Sequence, residues 1–458
     1  LQHLVAFMLL LLTFGPALAA TEVHERQLDN GLKILVKPDH RAPILTSQVW
    51  YRIGSSYEYG GITGVSHVLE HMMFQGTEHL APGEFSRIVA ENGGEENAFT
   101  GRDYTAYYQN LASDRLEVSF ELEAERMRHL KLSEKEFLKE LEVVKEERRM
   151  RTDDDPQSLT YERFSATAYD ASPYRNPVIG WPGDLEQLSL EDARDWYRLW
   201  YAPNNAILVV AGDVEPDQVF ALAEKHFGPL AAETVRPPKT QAEPEQLGEK
   251  RLHVKAPAKE SYVLMGYKTP SLADADAPWK PYALELLSSI LDGGDSARLS
   301  RELVRGRQIA ASAGASYRAF ERLPGLFLFE GVPAKGQTAE TLEAALREQI
   351  ARVQSEPVEA AELERVRNQV IAAKVFERDS LFYQAMQIGL LETIGLDWRL
   401  SDTYVDQLAK VTPEQIQAVA RQYLTPERLT VAILDPQPLE SSAQTAARPQ
   451  AGGQTHVH

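Results

Sequence analysis

The sequence predicts an α+β protein of two homologous lobes, each a mostly antiparallel sheet packed with helices. Three observations carry this. The chain has 458 residues, beyond the size at which one hydrophobic core stops growing. A stretch rich in Pro, Glu, Gln and Thr, residues 231–250 (AAETVRPPKTQAEPEQLGEK), lacks apolar periodicity and reads as a linker near the middle. On each side of it the same order of strand and helix patterns recurs, as an internal duplication would produce.

The first twenty residues, LQHLVAFMLLLLTFGPALAA, hold an apolar run from Leu4 to Phe14 and then the small-x-small pattern Ala17-Leu18-Ala19. This reads as a secretory signal over residues 1–19, since the run is short for a membrane span. No later segment is long and apolar enough to cross a bilayer. The absence of cysteine excludes disulfides, thiolate metal ligands and a cysteine-linked lipid anchor. An exported, bacterial periplasmic protein is therefore expected. With 43% hydrophobic and 25% charged residues the chain has a globular composition. Its net charge of −19, without basic clusters, argues against a nucleic-acid partner.

The N-terminal lobe is expected over residues 20–230. LKILVKP and TSQVWYRIG read as strands, the stretch TGVSHVLEHMMFQGTEH (63–79) carries a helix, and NAILVVAGDV returns as a strand. In the C-terminal lobe, residues 251–436, RLHVKA and SYVLMGY are strands, WKPYALELLSSIL is a helix and RLTVAILDP closes the sheet. The helices before the two closing strands both open with a capping pattern, Ser189 with Asp192 and Thr412 with Gln415. The polar tail 437–458, with its Pro, Ala and Gly, is expected to be disordered.

The chemistry lies in His67, Glu70 and His71. Positions i, i+3 and i+4 share one helix face, so two imidazoles can reach one ion with a glutamate beside them. Catalytic zinc commonly has three protein ligands and keeps a place for water, where such a glutamate can act as general base. The same residues also suit the polar face of an amphipathic helix, so a third ligand has to be found. A second helix opens at Ser133, with Glu136 three residues on, and runs to about Arg151. It carries Glu140 and Glu147 two turns apart on one face, where one can bind metal and the other support a ligand. On so charged a helix both also suit a solvated face.

Taken with LDNGLKILVKPD, GGEENAFTGRDYTAYY and WYRLWYAPNNAILVVAGDV, the HxxEH stretch resembles the M16 inverted-zincin metallopeptidases, the family of pitrilysin, insulin-degrading enzyme and the mitochondrial processing peptidase. The resemblance implies the LuxS/processing-peptidase metallohydrolase fold and one zinc ion per chain. It implies zinc held by His67, His71 and a glutamate 76 residues beyond the second histidine, which is Glu147 (147 − 71 = 76), with its neighbour Glu146 as the alternative. Glu140 would support the site and Glu70 would be the general base. Asn97, Ala98 and Phe99 would hold the main chain of a peptide added as an extra strand. The expected activity is a zinc endopeptidase acting on short or unfolded polypeptides. A non-catalytic assembly or chaperone-like subunit is the alternative.

With two lobes the chain resembles the processing-peptidase-like branch, whose members pair two chains around a chamber. The family's second lobe usually supplies an arginine and, seven residues on, a tyrosine. Those places here are Val304 and Ala311, and Arg305, Arg307 and Tyr317 are out of register. The departure implies a homologous partner lacking HxxEH but supplying the Arg and Tyr, with a homodimer as the other arrangement.

Overall fold

The computed structural model describes residues 22–239 and 241–439. The leader expected over residues 1–19 and nearly all of the tail lie outside the described residues.

The first sheet is built from β1 (His24–Gln27), β2 (Lys33–Pro38), β3 (Ile44–Tyr51), β4 (Glu95–Thr100), β5 (Thr105–Ala112) and β6 (Ala206–Gly212), in the order β1-β2-β6-β3-β5-β4. The second uses β7 (Lys250–Pro257), β8 (Tyr262–Thr269), β9 (Ala310–Tyr317), β10 (Gly325–Pro333) and β11 (Leu429–Gln437), in the order β7-β11-β8-β10-β9. Both are antiparallel except at one pair, β2 with β6 and β7 with β11. That shared exception places β2, β6, β3, β5 and β4 opposite β7, β11, β8, β10 and β9. β1 has no counterpart among the described residues. The α+β fold with two like lobes is thus the one the sequence predicts.

Each sheet is covered on one face by helices of its own half, and on the other by a helix from the opposite half. Behind the first sheet, Trp50, Ile207 and Val209 pack on Ala385 and Ile388 of the helix Leu381–Thr393. Gly389 lets that helix come close, since a Cβ there would lie 2.2 Å from the Trp50 Nε1. Behind the second sheet, Phe164 and Ala168 of the helix Pro156–Ala168 meet Tyr262, Leu264 and Leu434. The exchange explains why β6 is an unbroken apolar run. All seven of its residues are buried because both faces are covered.

Smaller features depart from expectation. Residues 241–249 hold no helix or strand, yet the segment is anchored. Glu243 accepts from Lys268 Nζ at 2.5 Å and from the backbone N–H groups of Asp170, Ala171 and Ser172 at 2.8, 2.9 and 2.7 Å. Burial pushes its pKa up, but these donors outweigh burial and bring it down to about 2. β11 runs past Asp435 because Pro436 and Gln437 still pair with Ala256 and Pro257 of β7. Of the three capping patterns, those at Ser189 and Thr412 form in both directions, whereas Ser133 only accepts the Glu136 N–H while Glu136 turns to Lys135. The α-helix Glu134–Arg148 also stops short of Arg151 and passes into a π-helical turn, Arg149–Asp153.

Candidate metal centre

The helix Val65–Met72 has only eight residues and no side-chain cap from its own N-cap residue. Two outside features hold its start. Gly64 has φ +90° and lies against Gly180, φ +91°. A Cβ on Gly64 would come within 2.7 Å of the Ile179 carbonyl oxygen, and one on Gly180 within 2.5 Å of that of Thr63. The second feature is Glu58, whose carboxylate accepts the Gly64 N–H at 2.7 Å and the Ser66 N–H at 2.8 Å. It satisfies orphan donors of the first turn. Burial raises the Glu58 pKa to about 7 despite those donors. The sequence reading missed Glu58. Its only signal was a carboxylate six residues ahead of a helix that begins at a glycine.

From this helix His67 and His71 project toward the helix Glu134–Arg148. His67 Nε2 lies 3.7 Å and His71 Nε2 3.5 Å from the same oxygen, Glu147 Oε2. Glu147 Oε1 faces Arg151 Nη1 at 2.8 Å, so the carboxylate is pinned from behind. Glu140 Oε2 stands 3.4 Å from His71 Nδ1, on the side of the ring away from Glu147. Glu146 points outward and pairs with Arg149. Burial lowers the His71 pKa, but Glu140 and Glu147 outweigh it and raise the value to about 9. The pocket therefore favours positive charge.

Glu70 is buried and accepts a hydrogen bond from the Thr100 hydroxyl at the end of β4. β4 is the edge of its sheet. The Gly101 N–H bonds to the Tyr104 carbonyl, which closes the β4–β5 turn and, by the alternation of antiparallel pairing, turns the main-chain groups of Glu96 and Ala98 away from β5. The Ala98 N–H is covered by Asn97 Oδ1 at 2.8 Å. Phe99 points to the opposite face, where its ring meets Trp50 edge-on at 5.3 Å. Its side chain is thus remote from the histidines.

Space opens on both sides of the cluster. One cavity of about 570 Å³ is lined by His67, Glu147 and Arg151 and, from the second lobe, by Tyr262 and Glu330. The other, about 550 Å³, is lined by Glu70, His71, Phe74, Asn97 and Glu140. The second-lobe positions behave differently. Arg305 donates to the Asp295 carbonyl, Arg307 pairs with Glu348 at 2.6 Å, and the Tyr317 hydroxyl donates to the Pro270 carbonyl at 2.6 Å. All three are engaged within their own lobe. Among the described residues the set able to hold a metal ion is His67, His71 and Glu147, whose ligand atoms lie within 4.8 Å of one another.

A family profile described as "Insulinase (Peptidase family M16)" matches residues 33–181, and one described as "Peptidase M16 inactive domain" matches residues 187–370. A Helicobacter pylori protein named "Zinc protease PqqE" is 36% identical over 366 residues, covering 78% of this chain and 81% of that protein. This chain belongs to the M16 peptidase family. A Bacillus subtilis relative, "Uncharacterized zinc protease YmxG", is 25% identical over 407 residues, 89% of this chain and 97% of its own length. The crystal structure of a protease from Helicobacter pylori superposes with a TM-score of 0.86 at 31% identity, covering 91% of this chain and all of that one. The periplasmic protease PqqL from Escherichia coli shares the fold, with a TM-score of 0.75 at 16% identity, and this chain spans 51% of it. The M16 inactive-domain profile falls mainly on the second lobe, which contributes nothing to the His67, His71 and Glu147 set.

The donor chemistry of that set fits zinc. Two imidazole nitrogens and a carboxylate oxygen are its usual partners, and arms of about 2.0 Å to a tetrahedral ion would put the donors about 3.3 Å apart. The Nε2 to Oε2 separations of 3.7 and 3.5 Å approach that spacing and are long for hydrogen bonds.

Proposed function

We propose that this chain is a zinc-dependent endopeptidase that hydrolyses short or unfolded polypeptides, with His67, His71 and Glu147 holding the metal. The observation that carries the reading is the convergence of both Nε2 atoms on one oxygen of Glu147, with Glu70 on the same helix tied to the edge strand. Zinc, when bound at these residues, supplies a Lewis acid that acidifies water and polarises a carbonyl.

The chain's own groups do the rest. Glu140 holds the His71 ring by Nδ1, leaving Nε2 for the metal. Glu70 takes a proton from the attacking water and returns it to the leaving amine. A peptide pairs with the outward main-chain groups of β4 at Glu96 and Ala98, displacing Asn97 Oδ1 from the Ala98 N–H. Main-chain pairing grips the backbone regardless of side chains, which suits unfolded substrates. Asn97, Ala98 and Phe99 form the stretch beside which the scissile bond would lie, Phe99 contributing its place in the strand and not its ring.

Among the described residues the second lobe brings Tyr262 but no arginine to the cavity beside the cluster, and Arg305, Arg307 and Tyr317 are engaged elsewhere; this supports a homologous partner that completes the enzyme as a heterodimer around a chamber. The apolar start of the sequence supports export to the periplasm.

The test is Glu70→Gln. Zinc content stays near that of the wild type while cleavage of a peptide mixture, read by mass spectrometry with and without the partner, falls by about 100-fold to 10,000-fold. Undiminished cleavage by Glu70→Gln would overturn the assignment.

A further inference from the structure

The turn of the β4–β5 hairpin and the loop between β9 and β10 occupy equivalent places in the two sheets, and they meet. Their contacts are reciprocal in charge. Arg102 of the first faces Glu321 of the second at 3.5 Å, and Asp103 of the first faces Arg322 of the second at 3.2 Å. The second pair is the better built. Asp103 is buried and accepts from Arg322 Nε, from the Arg322 backbone N–H at 3.2 Å, from the Ser56 hydroxyl at 2.7 Å and from the Tyr174 hydroxyl. Arg322 also donates from Nη2 to Ser56 Oγ at 2.8 Å and lies 4.4 Å from the centre of the Tyr57 ring.

The turn Ser55–Tyr57 leads directly into Glu58, which caps the histidine helix. It is bound to the hairpin by main-chain bonds as well, Ser55 N–H to the Gly101 carbonyl at 3.2 Å and Ser56 N–H to that of Arg102 at 2.8 Å. Thr100, the last residue of β4 before that turn, holds Glu70. One second-lobe guanidinium therefore touches both the turn that ends the edge strand and the segment that leads into the histidine helix.

We propose that Arg322, through Asp103 and Ser56, is a positioning residue that sets the spacing between the β4 edge strand and the helix of His67, Glu70 and His71. The second lobe would then govern a site to which it gives no ligand. The inference rests on the proposed peptidase reading for its effect on turnover. Removing Arg322 leaves the buried Asp103 carboxylate without its cation, which drives the hairpin and the Ser55–Tyr57 turn to rearrange. Lysine keeps the charge but not the planar fork that reaches Asp103 and Ser56 together, nor the stacking on Tyr57. A displacement near 1 Å at a catalytic group costs about 100-fold in rate.

The experiment compares full-length wild type with Arg322→Met, Arg322→Lys and Ser56→Ala. It measures kcat and KM on a short peptide, zinc affinity by chelator competition, and amide exchange of the metal-free protein. Arg322→Met lowers kcat by about 10-fold to 100-fold with KM changed by less than about 3-fold. It weakens zinc binding and speeds exchange over residues 55–72 and 95–105, and Arg322→Lys recovers part of each loss. A bridge that merely joins the lobes would lower the melting temperature and leave kcat, zinc affinity and those amides unchanged, which would overturn the proposal. Should Arg322→Met fail to fold, Ser56→Ala decides, since it removes the hydroxyl through which Asp103 and Arg322 hold the Ser55–Tyr57 turn while leaving the main-chain bonds in place, and unaltered zinc affinity and exchange would count against the idea. Wild-type protein that binds zinc yet cleaves nothing with its partner refutes the peptidase reading alone, while the zinc and exchange measurements still judge Arg322.

Discussion

Glu146 and Glu147 differ by one helical step, about 100° of rotation, and that step separates an exposed ion pair from a place between two imidazoles. Family resemblance pointed to Glu147, and the geometry of its neighbours supports that choice. Arg151, one turn on, occupies one carboxylate oxygen and leaves the other toward the histidines. Three substitutions separate the roles. Glu147→Gln should lower zinc affinity by at least about 100-fold, and Glu140→Gln by about 10-fold to 100-fold through the His71 ring. Glu146→Gln should leave it within about 2-fold, because an exposed pair contributes little. Equilibrium competition with a chromogenic chelator reads all three, and a large loss in the Glu146 variant would reverse the assignment.

The histidine helix is eight residues long, too short to persist on its own propensity. It depends on what packs against its start. Gly64 and Gly180 touch backbone to backbone, and Glu58 holds the first turn. Gly64→Ala should cost about 2 kcal/mol or more, from left-handed strain together with the steric clash, and should weaken zinc binding. Gly83 supplies the control. It begins the helix Glu84–Glu91 at φ +76° with nothing within 4 Å of its missing Cβ, so alanine there should cost only about 1 kcal/mol and leave zinc unaffected. Urea midpoints for the two variants compare them directly, and equal losses would show that the close contact is unimportant.

Across the whole molecule the lobes are interlocked. The helix Leu381–Thr393 backs the first sheet and the helix Pro156–Ala168 backs the second, so neither half carries a complete cover of its own. The linker joins this arrangement through Glu243, which ties the turn at Asp170–Ser172 to Lys268 on β8. Its pKa is about 2 in the folded chain against an ordinary value near 4.5. A carboxylate with a depressed folded pKa contributes stability that is fully present above the unfolded value and lost as pH falls through the folded one. The stability gap between wild type and Glu243→Gln should therefore be constant from neutrality to about pH 5 and close between about pH 4.5 and 2. Denaturant titrations at several pH values test this, and a gap that persists at pH 2 would contradict it.

Sequence alone determined the class of fold, the duplicated order of strands and the face shared by His67, Glu70 and His71, because each follows from short-range periodicity. Resemblance to a known family added Glu147, which no local pattern could single out among the acids of its helix. Only the tertiary structure decided what holds these pieces together: the helices exchanged between lobes, the carboxylate of Glu58 beneath the histidine helix, the anchored linker and the meeting of Asp103 with Arg322. These are contacts between residues far apart in the chain, where burial of charge and shape of surface rule. Composition and spacing carry no record of which distant surfaces will touch.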